Sequence, residues 1–141
     1  MPEVSSIIKA ACDRLYREQK ALIDMHAHER TIGGYLAEYL RPGFPGLQVD
    51  SDPNRMGNKG EAKRAQDGRL LIPDLIVHTR ESVEGPNIAA IQIKGFWNKD
   101  DRQKDERDLH DLWRAFKYQY LYRLELGPET YDLIGVPPPP H

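Results

Sequence analysis

The stretch of sequence that most restricts the fold is "NIAAIQIKGFW", residues 87–97, an apolar segment that carries a glutamine and a lysine two residues apart. Side chains alternate between the two faces of a β-strand, so Gln92 and Lys94 share one face while alanine and isoleucine occupy the other. A lysine is seldom buried without a partner. The pattern therefore predicts a strand in the protein interior whose polar end opens onto a cleft.

Length and composition indicate a single globular domain. The chain has 141 residues, 39% hydrophobic and 30% charged, and its apolar runs are far shorter than the roughly 20 residues of a membrane helix. The N-terminus lacks the features of a secretory signal, so we expect a cytoplasmic protein. The one cysteine, Cys12, excludes an internal disulfide and a zinc site built from several cysteines. With a formal net charge of -2, any nucleic-acid binding has to come from local patches.

The N-terminal segment has helical periodicity. Apolar residues recur three and four positions apart through residues 4–39, a span too long for an ordinary globular helix. We expect two helices, or one bent helix with a protruding first half. Residues 1–26 then form a helical extension that offers a dimer interface. The sequence "RPGFPG" at residues 41–46 ends the helical pattern.

Two acidic residues occupy positions where a carboxylate is unusual. Glu29 lies on the apolar stripe of the N-terminal helical segment, and a buried carboxylate usually has a cation, a metal ion or a shifted pKa beside it. Asp74 follows Pro73 inside "LLIPDLIVH", residues 70–78, which otherwise has the pattern of a strand. Pro73 lacks a ladder donor and predicts a sheet edge or a bulge. The alternatives are a tolerated charge at the edge of the stripe for Glu29, and a turn-like break in the strand at Asp74.

The remaining segments alternate between regular structure and connections. A strand is predicted at residues 47–52 and a loop at residues 53–69. A hairpin connection follows at residues 79–87, and a charged segment at residues 98–108 leads into a helix at residues 109–124. Gly127 and Pro128 end the last helix. Residues 1–136 are thus predicted to form one domain, followed by a disordered proline-rich tail at residues 137–141.

These elements resemble the PD-(D/E)xK superfamily of nucleases, which share the restriction-endonuclease-like fold. The resemblance is carried by Glu29 on a helix, Pro-Asp on one strand and "IQIK" on the next, and it extends over roughly residues 27–127. The stretches "HERTIGGYLAEYL", "VDSDPNR", "PDLIVH" and "IQIK" also resemble small uncharacterised bacterial members of the superfamily. The fold implied is α/β: a helix, a three-stranded β-meander, a helix and a short strand, with a central mixed sheet flanked by helices.

The resemblance implies a metal-dependent endonuclease that hydrolyses phosphodiester bonds of nucleic acid, DNA in the first place, with Mg²⁺ or Mn²⁺ as cofactor. By similarity, Asp74 is the main metal ligand, joined by the side chain of Gln92 and the backbone carbonyl of Ile93. Glu29 adds charge directly or through water, and Lys94 orients or deprotonates the attacking water. Many such domains act as homodimers, and a partner protein is the other source of targeting.

One position departs from the family pattern. The family usually has Asp or Glu where this chain has Gln92. A glutamine oxygen coordinates a hard cation, but it carries no charge and cannot act as a base. Some members of the family have a Gln-x-Lys version. Three explanations stay open: a natural active variant, an inactive nucleic-acid-binding or assembly module of the same fold, and a substitution made to trap a complex.

Contacts to nucleic acid are predicted in the loop at residues 53–69, which carries five basic residues against two acidic ones. Phosphate backbones attract such a segment. The alternative is a solvated loop whose charges keep the chain soluble. The residues proposed for these contacts are Arg55, Lys59, Lys63 and Arg64.

Overall fold

The computed structural model of the protein describes residues 3–51, 73–79 and 87–139. The predicted nucleic-acid contacts at Arg55, Lys59, Lys63 and Arg64 lie outside the described residues, and so does most of the predicted hairpin connection. Among the helices of the described ranges, none has the length and apolar character needed to cross a bilayer.

The described strands form one mixed sheet, which confirms the α/β class. They lie in chain order across the sheet. Neighbouring strands are antiparallel except the third and fourth, which are parallel. The five strands are β1 (Gln48–Ser51), β2 (Leu75–His78), β3 (Asn87–Gly95), β4 (Tyr120–Leu126) and β5 (Tyr131–Val136).

Helices cover both faces of the sheet. They are α1 (Val4–Glu18), α2 (Lys20–Asp24), α3 (Glu29–Leu40) and α4 (Arg102–Phe116), and a short 3₁₀ turn at Arg41–Gly43 follows α3. The odd-numbered residues Ala89, Ile91 and Ile93 of β3 pack with the buried residues of α1 and α3. On the other face, Ala90 packs with Leu109 and Leu112 of α4. The alternation predicted for β3 thus places its odd-numbered and even-numbered side chains in two separate apolar cores, one on each face of the sheet.

The N-terminal segment folds into three helices, so the prediction of two helices or one bent helix is wrong. The backbone leaves the helical conformation at Gln19, where φ is -124°, and at His26, where φ is +56°. The imidazole of His28 then caps α3 by accepting a hydrogen bond of 3.0 Å from the amide of Arg30. Apolar spacing continues across these breaks, because all three helices bury residues in the same core. Periodicity alone could not reveal them.

The first helix does not protrude. Its apolar residues are buried inside the domain, and α1 packs against α3. These side chains are therefore used within the chain and are not free to form the predicted dimer interface. They are Ile8, Ala11, Cys12 and Leu15.

The bounds predicted for the last helix, residues 109–124, are wrong at both ends. Helix α4 begins seven residues earlier than predicted, and the Asp101 carboxylate caps it by accepting a hydrogen bond of 2.9 Å from the amide of Gln103. It ends at Phe116, because Lys117 adopts the left-handed conformation with φ of 57°. The chain then forms β4, which the sequence had assigned to the helix. Gly127 lies in the turn that leads into β5. The resemblance implied one short strand after the last helix, and the structure has two, β4 and β5.

The prediction for Pro73 also needs correction. Pro73 lies before β2 rather than inside a strand, and β2 is an interior strand rather than an edge. The irregularity in the pairing of β2 with β3 falls between Val77 and His78.

The described part of the tail, residues 137–139, has no regular secondary structure. Its Pro137 carbonyl oxygen lies 3.0 Å from Nε2 of His110, so this part of the tail contacts α4.

The thiol of Cys12 provides a test of the packing of α1. Cys12 is completely buried, and burial raises the pKa of its thiol to about 12. We expect an aromatic disulfide reagent to label native protein at least about a thousandfold more slowly than protein in guanidinium, because labelling requires unfolding. Absorbance of the released thiolate measures the rate, and Cys12→Ser is the blank. Fast labelling in native buffer would show that α1 does not stay packed.

Candidate active site

Asp74 is the residue directly before β2. Within the described residues, the pairing of β2 with β3 begins at Leu75 and Ile91. The Oδ2 atom of Asp74 accepts a hydrogen bond of 2.6 Å from the amide of Ile93. Its own amide lies 3.3 Å from Oε1 of Gln92, which accepts from it. The structure therefore joins Asp74 to both Gln92 and Ile93 through hydrogen bonds to backbone amides.

The carbonyl of Ile93 faces the same side as its amide. In a β-strand, the N–H and C=O of one residue point to the same neighbouring strand, and successive residues alternate. The amide of Phe96 donates to Leu126 of β4, so the even-numbered residues face β4 and Ile93 faces the β2 side. The Ile93 carbonyl thus lies on the same side of β3 as the Asp74 carboxylate. It is a suitable oxygen ligand beside the Asp74 carboxylate.

The side chain of Lys94 lies on the face of the sheet that is covered by α4, opposite the face to which the Ile93 side chain belongs. Its Nζ lies 3.4 Å from Oδ1 of Asp105, and only 14% and 8% of the two side chains are exposed. The sequence predicted that this end of β3 opens onto a cleft; it did not identify Asp105 as a partner of Lys94. Asp105 is four residues before Leu109, on the same side of α4 as the apolar stripe. Placing the start of α4 at the Asp101 cap would have revealed it.

Glu29 reaches the site from α3, but not for the reason that the apolar stripe suggested. It is the first residue of α3 and is only partly buried. Its Oε1 accepts a hydrogen bond of 2.8 Å from Nδ2 of Asn98, in the connection between β3 and α4. The Glu29 charge contributes to raising the pKa of Asp74, so the two carboxylates are close enough to interact. Asn98 is a second site residue that the sequence did not indicate.

An arginine fixes the connection that carries Asn98. The guanidinium of Arg102 donates to the carbonyl oxygens of Asn98 and Asp100 at 2.7 and 2.8 Å. It also pairs with Glu125 on β4 at 3.0 Å. The connection is therefore held to the end of β4, which fixes the position from which Asn98 contacts Glu29.

Within the described residues, three carboxylates act on one another at this site: Asp74, Glu29 and Asp105. Burial raises the pKa of Asp74 to about 7, with smaller upward contributions from Glu29 and Asp105. The Ile93 amide and Lys94 act in the opposite direction. Burial likewise raises the pKa of Asp105, and Lys94 opposes that shift. A bound cation would stabilise the ionised forms of these carboxylates.

The oxygens at Asp74 fit a hard divalent cation with few protein ligands. Within residues 3–51, 73–79 and 87–139, no three His, Cys, Asp or Glu side chains form a group that could hold a metal ion. A cation here would have to combine the Asp74 carboxylate with the Ile93 carbonyl, the Gln92 oxygen, and Glu29 directly or through water. Mg²⁺ is commonly bound in this way, by one or two carboxylates together with water and substrate phosphate.

Comparison of the chain with protein-family models, with curated proteins and with solved structures found no match. The fold is therefore described by its own topology. Any function has to be argued from the geometry at Asp74, Gln92, Lys94 and Glu29.

Proposed function

We propose that this protein is a metal-dependent endonuclease of the PD-(D/E)xK type, which hydrolyses phosphodiester bonds of nucleic acid, DNA in the first place. The observation that carries the proposal is the hydrogen bond from the Ile93 amide to the Asp74 carboxylate. It sets an acid from one strand against the Gln-x-Lys segment of the next. The topology supports the same conclusion: α3, the antiparallel strands β1 to β3, α4, and β4 parallel to β3 follow the order of a restriction-endonuclease-like core.

Each side chain has a distinct part in this reaction. A bound Mg²⁺ or Mn²⁺ supplies charge neutralisation on the phosphate and an acidified water. Asp74 and the Ile93 carbonyl hold the cation, and Asn98 holds Glu29 in a position to add charge. The ammonium of Lys94 orients the attacking water and stabilises charge on the phosphate, while Asp105 positions that ammonium from α4.

Gln92 acts in this proposal through the backbone of Asp74. Its side-chain oxygen accepts from the Asp74 amide, which an oxygen of Glu could also do. Glutamine keeps Asp74 in place without adding another carboxylate to a site whose acid already has a raised pKa. The cost is weaker attraction for the cation, so this site should require more metal than one with an acid at position 92. This supports the natural active variant among the three explanations.

The second candidate is a nucleic-acid-binding or assembly module of the same fold without catalysis. It is favoured by the contacts that Lys94 and Gln92 already make, to Asp105 and to the Asp74 amide. Both side chains have partners without a substrate. A module of this kind would bind nucleic acid and leave it intact.

A cleavage assay separates the two candidates. Supercoiled plasmid, single-stranded DNA and RNA are incubated with the protein in Mg²⁺, Mn²⁺ or EDTA, and the products are separated by electrophoresis. We expect cleavage that requires Mg²⁺ or Mn²⁺. In a parallel titration, Gln92→Glu should reach half of its maximal rate at roughly tenfold lower Mg²⁺, because it adds a charged ligand.

Each outcome of the cleavage assay and of the Mg²⁺ titration leads to a different conclusion about the site. Absence of cleavage by both proteins on all three substrates contradicts the nuclease and supports the binding module. Cleavage by Gln92→Glu alone would identify glutamine as the inactivating residue. An unchanged Mg²⁺ requirement in Gln92→Glu would show that the side chain at position 92 does not contact the cation.

A further inference from the structure

Three aromatic rings lie together beside the candidate active site, and we refer to His26, Phe96 and Trp97 as the aromatic corner. The rings of His26 and Trp97 are stacked, with centroids 4.8 Å apart and an angle of 5° between their planes. Phe96 stands nearly perpendicular to both, at 5.0 Å from His26 and 5.2 Å from Trp97. The corner therefore combines a flat stacked pair with an upright ring.

The corner is exposed although its rings are held in fixed orientations. Phe96 is 38% exposed, and His26 is also an exposed residue. Trp97 lies so closely over Gly95 that a Cβ on Gly95 would collide with the indole ring. His26 has a left-handed backbone with φ of 56°, a conformation that costs a non-glycine residue on the order of 1 kcal/mol. Trp97 is partly buried and packs against the main core. The corner thus has an anchored ring at its base and two rings that face solvent, His26 and Phe96, which are suited to contact a ligand.

The position of the corner links it to the proposed chemistry. Phe96 and Trp97 follow Lys94 directly in the chain after Gly95. Asn98, the next residue, donates to the Glu29 carboxylate. The corner thus lies between the strand that carries Lys94 and the helix end that carries Glu29.

We propose that the aromatic corner binds an unpaired nucleobase next to the phosphate that is cut, so that the substrate is single-stranded or locally unpaired nucleic acid; this rests on the proposed nuclease function. Stacking on an aromatic side chain contributes about 1–3 kcal/mol per base and accepts every base, because every base has a π-face. In a duplex those faces are covered by neighbouring bases, and exposing one costs free energy. Stacking also suits a chain with a net charge of -2, since it does not depend on a wide basic surface.

The competing explanation is purely structural. The rings also connect the segment before α3 to the segment after β3, and that contact alone could account for their packing. A structural role predicts that loss of a ring lowers stability without a selective effect on binding. A base-stacking role predicts selective loss of affinity for strands that carry bases.

Binding is measured in EDTA, so that no cleavage occurs, by fluorescence anisotropy of labelled oligothymidylate and oligouridylate of about 12 nucleotides. An abasic strand and a duplex of the same length are the comparison probes. We expect Phe96→Leu to lower affinity for both base-carrying strands by about tenfold, which is the loss of one stacked base, and to leave the weak binding of the abasic strand unchanged. Phe96→Tyr should keep the affinity.

Tyr120→Leu is the matched control. Tyr120 is 46% exposed and stacked on Tyr122, but it lies opposite Ala89 at the other end of the parallel pair from Lys94. The Tyr120→Leu variant should bind all probes like the parent.

A second measurement does not depend on whether Phe96→Leu folds correctly. The chain has two tryptophans, so Trp113→Phe leaves Trp97 as the only one, and its fluorescence should be quenched by the base-carrying strands and not by the abasic strand.

Equal affinity for the abasic and base-carrying strands, equal losses in Phe96→Leu and Tyr120→Leu, or no binding to any strand would each overturn the proposal. The nuclease proposal fails separately. If the parent cuts duplex and single strands equally and Phe96→Leu cuts both at parental rates, the corner proposal fails and the nuclease stands. If base-dependent binding is present but no metal supports cleavage, the nuclease fails and the corner remains a binding site. A preference for oligouridylate over oligothymidylate would assign the unpaired base to RNA.

Discussion

Asp74→Asn is expected to reduce cleavage by at least about a thousandfold and, at pH 8, to make the folded protein more stable. Loss of activity follows because an amide cannot supply the charge that holds the cation. Asparagine keeps an oxygen that can accept from the Ile93 amide, so the local backbone should be preserved. Stability rises because the substitution removes a carboxylate that the protein holds in an unfavourable environment. A residue needed only for folding would not give opposite changes in activity and stability.

The pH dependence of this gain follows from the pKa of Asp74. The folded value of about 7 lies above the ordinary value of 3.8, so the folded chain holds this proton more tightly than the unfolded chain. Below about pH 4 both states are protonated and the group has no effect on stability. Between about pH 4 and pH 7 the unfolded chain loses its proton first, so the stability of the parent falls, and above about pH 7 the loss stays constant. At pH 8, Asp74→Asn should gain on the order of a few kcal/mol.

Urea unfolding of parent and Asp74→Asn at pH 4, 6 and 8, with and without Mg²⁺, measures this effect. The difference in free energy of unfolding should grow from pH 4 to about pH 7 and then level off. Mg²⁺ should stabilise the parent and have no effect on Asp74→Asn, since binding to the folded state alone shifts unfolding. Asp132→Asn, at an exposed position on β5, is the control and should stay within about 0.5 kcal/mol of the parent. If Asp74→Asn is less stable than the parent at pH 8, the Asp74 carboxylate does not destabilise the folded protein, and this prediction is wrong.

The sequence predicted β3 well because one strand carried two independent signals. Strict alternation of the residues from Ala89 onward fixed the strand and its faces, and the polar pair Gln92 and Lys94 marked its polar end, which the structure places beside α4. The resemblance then supplied Asp74 as the partner of that segment. Local patterns could not provide the reason for their contact, which is the register that places Leu75, the first residue of β2, opposite Ile91. Register arises from pairing between distant segments.

The wrong predictions share a physical cause. Tyr120 and Leu124 are four residues apart, a spacing that fits one face of a helix and also one face of a strand. The left-handed Lys117 that separates α4 from β4 has no glycine or proline to reveal it. The N-terminal helices are separated by Gln19 and by His26, which also give no strong signal for a break. Asp105 was hidden because the start of α4 was placed after it.

Lys94→Met is expected to lower cleavage by at least about a hundredfold and to destabilise the protein at pH 8 by roughly 2 kcal/mol. The catalytic loss comes from removal of the ammonium at the phosphate. The loss of stability comes from Asp105, which burial already makes unfavourable as a carboxylate and which Lys94 helps to keep ionised. Without Lys94, the pKa of Asp105 should rise further, so the destabilisation should shrink as the pH is lowered and Asp105 is protonated. Parental cleavage rates in Lys94→Met would mean that the activity comes from a contaminant or from other residues.

Removing both members of the pair separates catalysis from packing. Asp105→Asn alone keeps the ammonium but not its charged partner, so we expect about a tenfold lower rate through poorer positioning. In Lys94→Met/Asp105→Asn no buried charge is left unpaired, and stability should recover by about 1–3 kcal/mol relative to Lys94→Met, while cleavage stays lost. Lys20→Met breaks a Lys–Asp pair on α2, with 61% of the aspartate exposed, and should leave both quantities nearly unchanged. Recovery of stability without recovery of cleavage would show that Lys94 is placed for chemistry and that Asp105 serves to hold it there. If the double variant is no more stable than Lys94→Met, the two charges are not coupled, and Asp105 loses its positioning role.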